Sequence, residues 1–316
     1  MNKNSKIYVA GHRGLVGGAI MRRLASGGYT NIITRTHAEV DLTNQAQVNS
    51  FFEKEKPEYV FLSAAKVGGI GANSAYPAEF IYQNMMIGFN VVHASYKNNV
   101  TKLLNLGSSC IYPKMAPQPM KEAYLLTGPL EPSNDAYALA KISVIKLSNS
   151  YNKQYGTNYL SVMPTNLYGP GDNYDLNGSH VLPAMIRKFH EAKVNRTDKV
   201  VLWGDGSPFR EFLYSDDLAD AVVYLMETKD AKEIGDFVNV GTGVDLTIKK
   251  LAEMIRDIVY ADVPQRKCAI EWDTAKPNGT PKKLLDVTRL GELSWNAKMG
   301  LIEGINLSYK DFIRLR

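Results

Sequence analysis

The first half of the chain alternates short apolar or β-branched runs with stretches of helical period, and no other feature restricts the fold as much. The strand-like runs fall at 7–10, 31–34, 59–64, 102–106 and 159–163, and the helical ones at 15–25, 45–54, 79–96 and 136–155. Strands separated by helices of this length form βαβ units, whose sheet is parallel and covered by helices on both faces. The expected fold class is therefore α/β, a doubly wound parallel sheet. Tyr155-Gly156 closes the last of these helices with a glycine in the C-cap position.

A glycine-rich segment, Gly11-His12-Arg13-Gly14-Leu15-Val16-Gly17-Gly18, follows the first strand and opens the first helix. Glycines here allow a tight turn, a close approach of backbone N–H groups to a pyrophosphate, and close helix–strand packing. The spacing is GxxGxxG, and its position after the N-terminal strand points to a dinucleotide and a Rossmann-type domain. No GxxxxGK[ST] phosphate loop occurs, which disfavours an ATPase or GTPase. The end of the second strand distinguishes NAD from NADP, because an acid there binds a ribose hydroxyl and an arginine binds a 2′-phosphate. Arg35 stands 18 residues after Gly17, and Arg13 adds a second guanidinium. Together they favour NADP, although Glu39 and Asp41 lie close by.

After Pro164 the pattern loosens. Residues 172–179 read as loop, 182–192 and 216–227 as helices, 237–240 as a strand, 248–258 as a helix, and 276–283 as basic, proline-punctuated loop. The expected division is a dinucleotide-binding domain at 1–170, to which 211–240 returns, and a smaller mixed α/β substrate-binding domain from 171–210 and 241–316. A net charge of 37 − 32 = +5, spread along the chain, suits an anionic small molecule and not a nucleic acid. Two cysteines exclude a disulfide framework, and no apolar run is long enough to span a bilayer. A soluble, cytoplasmic protein is expected.

The loop between Gly107 and Tyr137 is long for a compact domain, and loops of that length are usually functional. At its far end Tyr137 and Lys141 lie four apart on one helix face, so both reach one site. A lysine ammonium beside a phenol is expected to lower the phenol pKa and make Tyr137 an acid or base near neutrality. At its near end Ser108 follows the fourth strand, where open α/β sheets place their ligands. No metal-ligand spacing occurs among the histidines and cysteines.

The glycine loop with Ser108, Tyr137 and Lys141 resembles the extended short-chain dehydrogenase/reductases, which act on nucleotide sugars, over essentially the whole chain. The resemblance is narrowed by Ala64-Ala65-Lys66-Val67-Gly68-Gly69-Ile70, Ser108-Ser109-Cys110-Ile111-Tyr112-Pro113, Met163-Pro164-Thr165-Asn166-Leu167-Tyr168-Gly169-Pro170, Trp203-Gly204-Asp205-Gly206, Arg210-Glu211-Phe212 and Lys283-Leu284-Leu285-Asp286. These stretches are similar to members that epimerise C3 and C5 of GDP-4-keto-6-deoxy-D-mannose and then reduce C4 with NADPH.

That resemblance implies roles that the residue types can support. Cys110 would remove the C3 and C5 protons and His180 would supply them from the opposite face. Ser108 and Tyr137 would stabilise the enolate, and Tyr137, with Lys141 assisting, would protonate the reduced oxygen. The implied cofactor cleft adds Thr36, His37, Leu42, Ala64, Ala65, Leu106, Gly107, Pro164, Thr165, Asn166, Leu167 and His180 to Asp41, Arg35 and residues 11–17. The implied substrate contacts are Ser108, Ser109, Cys110, Asn166, Lys188, Trp203, Arg210, Asn278 and Lys283. Three positions depart from the family pattern: Lys188 stands where Arg is frequent, Asn278 where Asp is common, and His37 where Arg often flanks the 2′-phosphate. Cys268 is read as structural. A 4,6-dehydratase would carry acidic residues after the serine, a simple 4-epimerase needs neither Cys110 nor His180, and a non-catalytic regulator would lack Tyr137 or Lys141. The family also implies a homodimer packed through 79–96 and 136–155.

Overall fold

A computed structural model describes every residue except 177, 267, 277 and 316, with only the backbone of residue 70. The first half runs β1 (Ile7–Ala10), α1 (Leu15–Ser26), β2 (Ile32–Ile33), α2 (Gln45–Glu55), β3 (Tyr59–Leu62), α3 (Ile70–Ala75), α4 (Pro77–Lys97), β4 (Lys102–Leu106), α5 (Asp135–Tyr155) and β5 (Tyr159–Pro164). The second half runs β6 (Asn166–Tyr168), α6 (Val181–Val194), β7 (Lys199–Trp203), β8 (Phe209–Tyr214), α7 (Ser215–Thr228), α8 (Ala231–Ile234), β9 (Val238–Val240), β10 (Asp245–Thr247), α9 (Ile248–Val259), β11 (Ala269–Asp273), β12 (Lys282–Lys283), α10 (Thr288–Glu292) and α11 (Leu301–Arg314).

Six parallel strands form the central sheet in the order β2-β1-β3-β4-β5-β9. Because helices cover both faces, β1, β4 and β5 are buried at every residue, as parallel strands generally are. On one face Ile20 and Leu24 of α1 and Leu218 and Val222 of α7 pack against Val9, Leu104 and Val162. On the other, Phe52, Val92 and Val144 from α2, α4 and α5 pack against Tyr8, Val60 and Leu103. Gly88 lets α4 and α5 approach closely, since a Cβ there would overlap the Val144 side chain. Local chemistry sets the helix ends: Asn44 Oδ1 accepts from the Gln47 N–H at 3.2 Å, and Gly156 ends α5 in the left-handed region at φ 66°.

The second half builds a smaller, mixed layer. β8 pairs antiparallel with β10 and parallel with β12 and β6, while β7 and β11 form a separate parallel pair. Leu182, Ile186 and Phe189 of α6 meet Leu251 and Ile255 of α9 and Ile305 and Phe312 of α11 in one core. The sequence reading assigns no strand at β7, β8, β10, β11 or β12 and no helix at α11. Segment 211–240 sends α7 and β9 to the central sheet, but its first residues lie in β8 of the small sheet. Leu290 and Trp295, within 241–316, pack in the core beside the central sheet. The expected strand at 31–34 shortens to two paired residues at the sheet edge, where only β1 offers a partner.

Candidate active site

The glycine loop lies between the C-terminal end of β1 and the first turn of α1. Gly11 adopts φ +84°, and a Cβ there would come within 2.7 Å of the Ala64 nitrogen. A Cβ on Gly17 would overlap the Gly11 carbonyl oxygen, so this glycine is required for α1 to sit on the turn. Gly14 is different: its nearest neighbour would be the Gly11 oxygen at 3.5 Å, so packing does not demand a glycine. Gly14 also caps α1 with extended backbone and no side-chain cap, and the first turn carries no acid. An uncapped helix start facing a glycine turn suits an anion such as a pyrophosphate. His12 Nδ1 is buried there without a hydrogen-bond partner among the described residues, and burial with the Arg13 charge lowers its pKa. The residues present thus fit a dinucleotide.

The guanidinium of Arg35 bonds the Thr34 carbonyl at 2.7 Å and Glu55 Oε1 at 2.6 Å, and lies 5.3 Å from the Phe51 ring centroid. Glu39 accepts from the Thr36 N–H and hydroxyl, both at 2.7 Å, and these bonds lower its pKa, helped by the charges of Arg35 and Arg13. Arg13, Arg35 and Glu39 thus share one rim of the loop. His37 is 82% exposed with Nδ1 3.6 Å from Asp41 Oδ1, and Leu42 is buried beneath.

At the end of β4 the chemistry-bearing residues converge. The Gly107 N–H donates to Val162 O at 2.8 Å, and a Cβ at Gly107 would overlap Met163. Lys141 Nζ donates to the Leu106 carbonyl at 2.9 Å and lies 5.7 Å from the Tyr137 ring centroid. Ser108 Oγ accepts the Cys110 N–H at 3.3 Å and hydrogen-bonds the Tyr137 phenol, while Phe80 supports the Tyr137 ring edge-on at 6.3 Å. One expectation is reversed. Burial and the Cys110 charge push the Tyr137 pKa upward, outweighing the Ser108 bond, and burial lowers Lys141 to about 8. Desolvation of both groups dominates, because the ammonium is turned to the Leu106 carbonyl.

Cys110 is partly exposed, and its sulfur accepts from Asn134 Nδ2 at 3.2 Å with Lys283 Nζ at 3.9 Å. Ser109 and Cys110 line a narrow cavity with Gln118, Glu131, Lys282 and Lys283. Arg210, on β8, bonds the Phe209 carbonyl at 2.8 Å; burial lowers its pKa, and the nearby Cys110 partly restores it. His180 precedes α6 as its N-cap and is exposed, and desolvation by the surrounding protein lowers its pKa. The Ser179 carbonyl oxygen lies 3.3 Å from where a Gly69 Cβ would stand, which sets His180 beside the glycine pair 68–69.

The other expected substrate contacts gather on the small layer. Lys188 Nζ donates to Val201 O at 2.9 Å, and burial lowers its pKa. Trp203 is 58% exposed, with Lys276 Nζ 5.5 Å from its ring centroid. Asn278 Oδ1 accepts the Asp205 N–H at 2.9 Å, fixing the Gly204-Asp205 turn. Asn166 Nδ2 and the Thr165 hydroxyl both donate to the Glu211 carbonyl, at 2.8 and 3.3 Å. Cys268 is buried.

Two residues escaped the sequence reading. Glu211 is fully buried and accepts the N–H groups of Thr242, Gly243 and Leu285 at 2.6, 2.8 and 2.9 Å. It ties β8 to the segment after β9 and to the one after β12, placing Arg210 and Lys283 together. Its signal in the sequence was its place inside Arg210-Glu211-Phe212. Asn134 was visible only as a polar residue three before Tyr137.

The model of the NAD dependent epimerase/dehydratase family matches residues 7–241. This chain belongs to that family. It is 54% identical over 313 residues to the putative GDP-L-fucose synthase 2 of Arabidopsis thaliana, covering 99% of this chain and 93% of the relative. It is 50% identical over 314 residues to the GDP-L-fucose synthase of Escherichia coli (strain K12), covering 98% of this chain and 96% of the relative. Among solved structures, the GDP-mannoheptose C4 reductase MlghC of Campylobacter jejuni, with NADP bound, superposes with a TM-score of 0.90 at 38% identity, covering 99% of each chain. MlghC and this chain thus share one fold over nearly their full lengths. Among the described residues no helix is long and apolar enough to cross a membrane.

Proposed function

We propose that this chain catalyses the GDP-L-fucose synthase reaction, converting GDP-4-keto-6-deoxy-D-mannose by C3 and C5 epimerisation and then C4 reduction. It is an oxidoreductase of nucleotide-sugar biosynthesis and its cofactor is NADP, which residues 11–17 with Arg13 and Arg35 would hold. The observation that carries the reading is the convergence of a partly exposed thiol, a serine, a half-buried Tyr137 and a buried Lys141 at the end of β4.

The C4 carbonyl acidifies the protons at C3 and C5. Cys110, as thiolate, takes each proton, and the electron pair moves to the carbonyl oxygen, where Ser108 and Tyr137 donate hydrogen bonds to the enolate. His180 returns a proton to carbon from the opposite face. Its lowered pKa makes it a ready donor once protonated. NADPH, when bound, supplies the hydride that reduces C4. Tyr137 then gives its proton to the C4 oxygen, and its raised pKa keeps that proton in place until needed. Lys141, with a pKa of about 8, is still cationic at neutral pH and offsets the phenolate that results. Arg210 and Lys283 would take the diphosphate, with Lys188, Trp203, Asn278 and Asn166 on the nucleotide and sugar.

The division into a cofactor domain at 1–170 with 211–240 and a substrate domain at 171–210 and 241–316 belongs to this reading. So do a cytoplasmic setting and a homodimer packed through α4 and α5, whose outer faces expose Tyr82, Phe89, Leu139 and Tyr155. The reading is tested with the keto sugar in deuterated solvent. Cys110→Ser should abolish deuterium entry at C3 and C5 by NMR while NADPH binding persists, and exchange at the wild-type rate would refute the base assignment.

A further inference from the structure

We infer that Asn134 is a positioning residue for the epimerase half of the reaction, holding the Cys110 sulfur as an oriented thiolate through an N–H···S hydrogen bond. The inference rests on the proposed role of Cys110 as base. Asn134 occupies the N-cap position of α5 and makes no side-chain cap there. Asparagine is among the best capping residues, and its loss as a cap costs about 1 kcal/mol. Instead Nδ2 reaches away from its own helix to the Cys110 sulfur at 3.2 Å. Its Oδ1 is buried and has no partner among the described residues. Two favourable interactions are thus forgone, and the amide turns its donor to the sulfur. A charged sulfur accepts hydrogen bonds and donates none, so an amide that turns its N–H to the sulfur is the orientation a thiolate base requires.

Other groups face the sulfur from every side. Lys283 approaches it from β12, 3.9 Å away, and Arg210 on β8 interacts with it by charge. Tyr137 on α5 is sensitive to its charge in turn. The Lys114–Glu131 ion pair, at 3.1 Å, and Lys282 line the cavity beside it. The two cations favour a thiolate without aiming it, and they are also the groups assigned to the diphosphate. Asn134 is the neutral donor that stays on the sulfur when phosphate engages those cations. Because it opens the helix that carries Tyr137 and Lys141, it also fixes the proton-abstracting sulfur relative to the phenol. The step itself is balanced: the thiolate gains the substrate proton, the pair goes to the carbonyl oxygen, and the N–H···S bond weakens as the thiol forms.

The test reads the thiol directly. Alkylation of Cys110 by iodoacetamide is followed by peptide mass spectrometry against pH for the unsubstituted protein, Asn134→Ala and the isosteric Asn134→Asp. Both variants should raise the midpoint by about one unit, equivalent to roughly 1.4 kcal/mol. At neutral pH, kcat for C3/C5 exchange should fall about tenfold with KM nearly unchanged, and should recover as pH is raised. Should the midpoint stay put in a variant that still binds NADPH, or exchange fail to recover at high pH, the inference is overturned. Failure of the underlying reading looks different: there, Cys110→Ser retains exchange whatever the Asn134 variants do to the alkylation midpoint.

Discussion

The central sheet and the smaller second layer differ in how they use burial. β1, β4 and β5 are covered on both faces and buried throughout, whereas β7 alternates exposed and buried residues, and β11 is nowhere fully buried. The first region is a fully covered frame whose strand ends carry Ser108 and the glycine loop. The second is a thinner, more open set of strands that presents Arg210, Trp203 and Lys283. This teaches that the proposed chemistry and recognition are mounted on parts buried to different depths. Changes in the frame should alter folding or the chemical step, and changes in the second layer should alter substrate affinity.

Tyr137→Phe sharpens the contrast most. It should lower kcat for C4 reduction by about 10²–10⁴-fold, the usual worth of a general acid, with little change in NADPH affinity or melting temperature. Stopped-flow NADPH oxidation and calorimetry check it. A comparable loss of NADPH binding would mean that the residue belongs to the frame as much as to the reaction.

The glycine loop separates packing from ligand contact. Gly17→Ala drives a methyl into the Gly11 carbonyl and should cost roughly 2–3 kcal/mol of stability, as overpacking does. Gly14→Ala meets nothing closer than 3.5 Å, so it should leave the denaturation midpoint in place and weaken NADPH binding alone. Equal melting temperatures for the two variants would break the distinction.

Within the frame, Asp220 on α7 receives Arg23 Nε at 2.8 Å, Trp295 Nε1 at 3.0 Å and Lys298 Nζ at 2.7 Å. Burial pushes its pKa up, but these bonds outweigh it and hold it at about 2, below the ordinary 3.8. A depressed carboxylate adds stability that is complete above pH 3.8 and is lost as pH falls toward 2. Asp220→Asn should therefore cost on the order of 2 kcal/mol at pH 7 and almost nothing near pH 2, as urea titrations at the two values would show. The smallest effect belongs to the second layer: Trp203→Ala should raise KM for the nucleotide sugar about 3–10-fold, worth roughly 1 kcal/mol, without changing kcat. A loss in kcat instead would place Trp203 with the reacting atoms.

The central sheet was legible because doubly covered strands read as apolar runs and its helices keep a 3.6-residue period. β10 and β12 are three and two residues long and carry Asp, Thr and Lys, so their sequences resemble loop until a partner strand is present, whereas β7 holds the apolar run Val200-Val201-Leu202-Trp203 that the sequence reading passed over. α11 was missed despite a strongly amphipathic pattern, because its apolar side only acquires meaning against α9 and β8. Ser108, Tyr137 and Lys141 were readable from spacing and strand position. The environment of Tyr137 was not: proximity in sequence suggested a phenol pushed down by a lysine, and burial pushes it up.

By itself, then, the sequence determined the alternating parallel architecture, and it offered the glycine loop and the Tyr137–Lys141 pair, because each depends on neighbours within about one turn or one strand. Tertiary structure alone decided which residues surround the Cys110 sulfur. Asn134 lies 24 residues from it and Lys283 173 residues from it. Glu211 brings the second of these close by gathering three backbone N–H groups from two distant segments. Desolvation and long-range hydrogen bonds arise only when the chain closes on itself, and they set the protonation states on which the proposed reaction depends.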